Sequence, residues 1–85
     1  MTPAEVPVRV LLFGRYRELA GTGEIRLEVP PGSRVRDVVG LLRARPALQA
    51  LPADPAVAVN RRYEGPDRAL SAGDEVALIP PVAGG

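Results

Sequence analysis

The chain has no cysteine, no histidine and no tryptophan, and its eleven basic residues are all arginine. Without Cys there is no disulfide framework, no thiol nucleophile and no thiolate metal site. Without His, the usual general base near neutral pH and the commonest metal ligand are both missing. Asp, Glu, Arg and two Tyr remain for any chemistry, and the carboxylates form no cluster in which a pair could divide acid and base roles. The expectation is a protein that is no enzyme on its own and binds no metal. No apolar run reaches the length of a membrane span, and the N-terminus lacks the basic-then-apolar pattern of a signal peptide. A cytoplasmic protein without membrane contact is expected. A net charge of +1 with interspersed signs produces no field for nucleic acid.

What is present fits one small domain. Eighty-five residues leave no room for a second core, and a hydrophobic content of 46% argues against disorder. Val6 to Phe13 reads as a strand, with Val8, Val10 and Leu12 facing one way and Leu11 and Phe13 the other. Arg15 to Ala20 reads as a short helical turn closed by Gly21. Glu24 to Val29 alternates strictly, with Ile25, Leu27 and Val29 on one face. Pro30-Pro31-Gly32 stops it, and Ser33 stands where an N-cap belongs. Val35, Val38, Val39 and Leu42 then follow the spacing of a buried helical stripe that ends before Pro46.

Residues 47–55 read as a connector whose Leu48 and Leu51 cover the edge of the core. Ala56 to Val59 reads as a third strand, Asn60-Arg61 as a hairpin turn, and Arg62 to Glu64 as a short fourth strand. Ser71 to Asp74 reads as a turn before a last strand, Glu75 to Ile79. The order is ββαβββ, which predicts an α+β fold of the β-grasp, ubiquitin-like kind: a mixed sheet of about five strands packed on one main helix. Its first and last strands run parallel at the centre. The expected core is Val8, Val10, Leu12, Leu27, Val35, Val39, Leu42, Val59, Leu70, Val76 and Leu78.

Two surfaces stand out. If Val8, Val10 and Leu12 point inward, then Leu11, Phe13, Ala77 and Ile79 gather on the outer face, which marks a docking surface beside the end of the last strand. Arg34, Arg36, Arg43 and Arg45 fall on the helix, either as a solvated face or as a dock for an acidic partner. Beyond Ile79 come Pro80, Pro81, Val82, Ala83, Gly84 and Gly85. The two prolines remove backbone donors, so the ladder cannot continue past Ile79. The two glycines remove every Cβ, leaving a thin backbone with a carboxylate at its tip. Either this is a frayed end, or it is a spout that carries a carboxylate down a narrow channel into another protein.

The segments Val10-Leu-Leu-Phe-Gly-Arg-Tyr-Arg-Glu-Leu-Ala-Gly21 and Gly73-Asp-Glu-Val-Ala-Leu-Ile-Pro-Pro-Val-Ala-Gly-Gly85 resemble the small subunits of molybdopterin synthase, a family of ubiquitin-like sulfur carriers. The likeness runs from Val8 to Gly85, with residues 1–7 as an N-terminal extension, 8–79 as the carrier domain and 80–85 as a mobile tail. It implies that an E1-like adenylyltransferase uses ATP to adenylate the Gly85 carboxylate, the chain itself binding no cofactor. A sulfurtransferase or cysteine desulfurase then supplies sulfur to form a thiocarboxylate. Residues Pro80, Pro81, Val82, Ala83 and Gly84 would enter the large subunit, where sulfur passes to cyclic pyranopterin monophosphate to build the molybdopterin dithiolene. By position, Phe13, Arg17, Tyr63 and Ile79 match family residues that face the large subunit, in a heterotetramer. Arg17 could instead pair with a nearby carboxylate of its own chain.

Carriers for thiazole synthesis or tRNA thiolation share the Gly-Gly end and the fold. Those of thiazole synthesis are shorter and lack the segment seen here as Arg15 to Ala20. A protein-conjugating modifier would also use Gly85, although a chain without Lys cannot build lysine-linked chains on itself. An interaction module with an inert tail is the reading furthest from chemistry.

Overall fold

The computed structural model describes residues 5–81. In chain order its elements are β1 (Val6–Leu12), α1 (Gly14–Ala20), β2 (Glu24–Val29), α2 (Val35–Arg43), a 3-10 turn (Pro46–Leu48), β3 (Ala56–Val59), β4 (Arg62–Glu64) and β5 (Glu75–Ile79). The sheet order is β2-β1-β5-β3-β4, with β1 and β5 parallel at the centre and every other pair antiparallel. This is the expected β-grasp arrangement. Pairing begins at Val6, opposite Val29, so β1 reaches two residues into the segment set apart as an extension.

One face of the sheet closes on α2. Val35, Val38, Val39 and Leu42, the stripe the sequence marks, are all buried there against Val8, Val10, Leu12, Val59, Val76 and Leu78. Leu48 and Leu51 cap this core from the connector. Leu27, expected in the core, is only half-buried, packed against the cluster from the edge strand β2. Ile25 and Val29 of the same strand are buried, as are Val38, Val57 and Tyr16.

The start of α2 corrects one expectation. Ser33 is not the N-cap: its hydroxyl donates to the Pro30 carbonyl at 2.7 Å, and helix geometry begins after Arg34. The early amides find other acceptors. Val35 N–H donates to the Arg68 carbonyl and Arg36 N–H to the Pro66 carbonyl, both at 3.0 Å. The Asp37 carboxylate accepts from the Arg34 N–H at 2.8 Å. The segment 65–70 thus laces across the helix N-terminus and satisfies donors that a capping hydroxyl would otherwise take. The helix also ends at Arg43, two residues short of the expected Arg45.

Two turns hold the sheet in register. Asn60 and Arg61 have φ of +51° and +72°, the paired left-handed geometry of a tight hairpin. Asn60 accepts from the Glu75 N–H and donates to Asp74. Asp74 is buried at the start of β5. Burial acts to raise its pKa, but the Ser71 N–H, the Asn60 amide and the Arg68 guanidinium outweigh that and hold it below the ordinary carboxylate value. A carboxylate depressed on folding contributes stability that is complete above its unfolded-chain value of about 3.9 and is lost as pH falls from there through the folded value. Asp74→Asn is therefore expected to cost about 1–3 kcal/mol at neutral pH. The cost should shrink towards zero in acid, as thermal melts of both proteins from pH 7 to pH 2 would record.

Candidate functional site

β1 and β5 run side by side in the same direction, so their C-terminal ends emerge together. Leu12 pairs with Leu78, which sets Phe13 level with Ile79 and Gly14 level with Pro80. At that level the two strands part. β1 turns into α1 at Gly14, where φ is +51°, and β5 loses its ladder at Pro80, which has no N–H to give. Pro80 and Pro81 therefore leave from the middle of the sheet.

Beside this exit the outer face is apolar. Leu11 pairs with Ala77, Ala77 with Ala58, and Ala58 with Tyr63, forming one row across four strands. The next row towards the exit pairs Ile79 with Ala56 and extends to Phe13. Phe13 is 46% exposed and Tyr63 75% exposed. Ala77 faces this side as expected but is buried, because a methyl group between Leu11 and Ala58 does not reach solvent. Further from the exit the same face is charged and internally paired. Arg9 lies 3.0 Å from Glu75 and 4.0 Å from Glu24, and Arg26 lies 3.2 Å from Glu24. The face is thus divided into an apolar half next to the exit and a neutralised polar half behind it.

A groove of about 420 Å³ runs from the apolar half to the exit, with Tyr16, Pro52, Pro55, Tyr63, Ile79 and Pro80 among its walls. Tyr16 is a residue that sequence reasoning did not single out. It is 3% exposed, with half-buried Ala20 one turn along α1. That i, i+4 apolar pair is the signal that could have found it. Nothing local in the sequence brings Pro52 and Pro55 here; they arrive through the β3 pairing.

Of the expected contact residues, Phe13, Tyr63 and Ile79 lie together around the exit. Arg17 stands on α1, exposed, with its side chain packed over Gly23. Among the described residues it makes no ion pair. Of the four arginines expected on the helix, only Arg36 and Arg43 lie within α2; Arg34 precedes it and Arg45 follows it. Arg34 donates to the Asp67 carbonyl, Arg36 pairs with the Asp67 carboxylate, and Arg43 donates to the Leu51 carbonyl. Three of the four are thus spent on tying loops to α2. Among the described residues no three His, Cys, Asp or Glu converge to hold a metal ion, and no helix is long and apolar enough to cross a membrane. Val82, Ala83, Gly84 and Gly85 lie outside the described residues.

A β-grasp sheet whose central strand ends in a proline pair, beside an apolar face, defines a ubiquitin-like domain. The ubiquitin of Caldiarchaeum subterraneum shares this fold, with a TM-score of 0.65 at 20% identity over 95% of this chain and 99% of that one. The family model described as ThiS family matches residues 10–85, and the chain belongs to that family. It is 38% identical over 81 residues to the molybdopterin synthase sulfur carrier subunit of Chlamydomonas reinhardtii, a match covering 92% of this chain and 98% of that protein. It is also similar to the solved small archaeal modifier protein 1 of H. volcanii. There the TM-score is 0.80 and the identity 31%, over 91% of this chain and 99% of that one.

Proposed function

We propose that this chain is the sulfur carrier subunit of a molybdopterin synthase, working in the cytoplasm. The observation that carries this reading is the exit. A central strand ends in Pro80 and Pro81 at the rim of an apolar face, so a partner gripping that face receives the segment that follows. Kinship over nearly the whole chain with a subunit named for this role supports it.

On this reading an E1-like adenylyltransferase joins the Gly85 carboxylate to AMP, releasing pyrophosphate from ATP. Sulfur from a sulfurtransferase or cysteine desulfurase then replaces AMP, leaving a thiocarboxylate. The large subunit receives Pro80 to Gly85, and sulfur passes to cyclic pyranopterin monophosphate while the carboxylate is regenerated. This chain contributes the carbonyl that bears sulfur and the surface that aligns it; the catalytic residues belong to the partners. The chain binds no cofactor of its own, and two copies join a large-subunit dimer as a heterotetramer.

Intact-mass spectrometry after incubation with an E1-like enzyme, ATP and a sulfur donor tests the reading. A gain equal to one oxygen replaced by sulfur is expected; no change with an enzyme of proven activity would refute it. Docking is assigned to Phe13, Tyr63 and Ile79, with Arg17 at the margin. Phe13→Asp is expected to weaken large-subunit binding by tenfold or more in calorimetry, because a charge is buried against an apolar partner. The free chain should stay folded, since Phe13 is half exposed.

The likeness to a small archaeal modifier protein favours a second reading, in which Gly85 is joined to amines of other proteins. Conjugates of this chain on lysines, formed with ATP and the activating enzyme alone, would decide for it. Transfer to a thiazole precursor or to tRNA would be read from which acceptor gains sulfur.

A further inference from the structure

We propose that Gly14 is a positioning residue that aims the chain's last segment, a role that rests on the carrier reading. Four glycines in the described residues have positive φ: Gly14, Gly21, Gly32 and Gly73. Around Gly21, Gly32 and Gly73 a Cβ would meet nothing within 4 Å, so these positions need glycine for their backbone angle alone. At Gly14 a Cβ would stand 3.3 Å from Pro80 Cγ. Gly14 therefore meets two demands: it turns β1 into α1, and it leaves room for the ring that begins the exit.

The neighbour has to give by a few tenths of an ångström. Pro80 has its φ locked by its ring, so relief comes from ring pucker towards the groove lined by Tyr16, Pro52, Pro55 and Tyr63, or from the backbone. A methyl group at position 14 therefore changes the seat of Pro80 or displaces the start of α1. The segment that follows takes its starting direction from this residue. Misplacement of about 1 Å is enough to cost a reaction about a hundredfold. Docking through Phe13, Ile79 and Tyr63 would be unaffected. The expected signature is thus loss of turnover without loss of affinity.

The test uses ATP–pyrophosphate exchange by an E1-like enzyme with the full chain as varied substrate. Gly14→Ala is compared with Gly21→Ala, which imposes the same left-handed strain at the other end of α1 but touches nothing. Gly14→Ala is expected to lower kcat by tenfold or more with KM within about threefold, while Gly21→Ala changes neither beyond about threefold. Adding Pro80→Ala to Gly14→Ala removes the ring that is struck and should bring kcat back to that of Pro80→Ala alone. Should Gly14→Ala not fold, the double variant remains informative, because without the ring it should fold and match Pro80→Ala alone in kcat. Equal losses in the two glycine variants, no rescue by Pro80→Ala, or a change confined to KM would each overturn the positioning role while leaving the carrier reading intact. Absence of exchange with the unaltered chain and a proven enzyme would overturn the carrier reading, and this role with it.

Discussion

Alanine at Gly84 or Gly85 is expected to abolish sulfur loading and transfer while the melting temperature stays where it was. The two halves of this result have separate causes. Stability resides in the cluster running from Val8 to Leu78, closed by α2 and the 3-10 turn. A methyl group added beyond Pro81 removes nothing from that cluster, so the change should remain within about 0.5 kcal/mol. Function, on the proposed reading, needs a backbone thin enough to pass a channel in each partner and a carbonyl placed at the reacting centre. A Cβ obstructs the first, and even an ångström of misplacement undermines the second. Thermal melts beside intact-mass analysis of loading would record both halves. Parallel loss of melting temperature and loading would instead place these glycines in the fold.

The opposite pattern is expected for Leu78→Ala. Leu78 is fully buried at the middle of β5, between Leu12 of β1 and Val57 of β3. Truncating it empties space that rigid neighbours on both strands cannot fill, at a cost of about 2–5 kcal/mol. A domain of this size holds only about 4–13 kcal/mol in total. A loss of about 3 kcal/mol corresponds to a fall of roughly 12–24 °C in melting temperature. Activity measured well below the new midpoint should persist, since the exit and the docking face remain intact in molecules that are folded. Calorimetry and exchange assays run at several temperatures would separate this loss of folded population from any loss of chemistry.

Periodicity made the fold largely legible. Strict alternation in Glu24 to Val29 and the Val35, Val38, Val39, Leu42 stripe each reflect a single buried face, and a buried face is what sequence spacing records. Ser33 misled because a capping hydroxyl is a local signal, whereas the acceptors that serve α2, the Pro66 and Arg68 carbonyls, arrive from distant positions in the chain. Leu27 misled for a related reason: alternation reveals which way a side chain points, not how completely its neighbours cover it. The candidate site was half legible. Phe13 and Ile79 follow from alternation beside Pro80. Tyr63 came through family likeness, and its place in the row is fixed by pairing with Ala58. Ala56, Pro52 and Pro55 join only through β3, a strand too short for its neighbours to be read from its own residues. Arg34, Arg36, Arg43 and Arg45 group together in sequence, but the bonds of the first three to Asp67 and Leu51 are visible only once the loops are folded back.

The central place of β5 has a mechanical consequence. Any partner that takes hold of the segment after Ile79 and must later release it pulls on β5 along its own length. That strand is bonded on both flanks, to β1 running the same way and to β3 running against it. A lengthwise pull therefore stretches the bonds of two ladders together in shear. At the edge of the sheet, the same strand could be peeled away one bond at a time. The tether is rooted where the domain resists extraction best, so withdrawal from a tight channel should free the segment before it unravels the body that carries it.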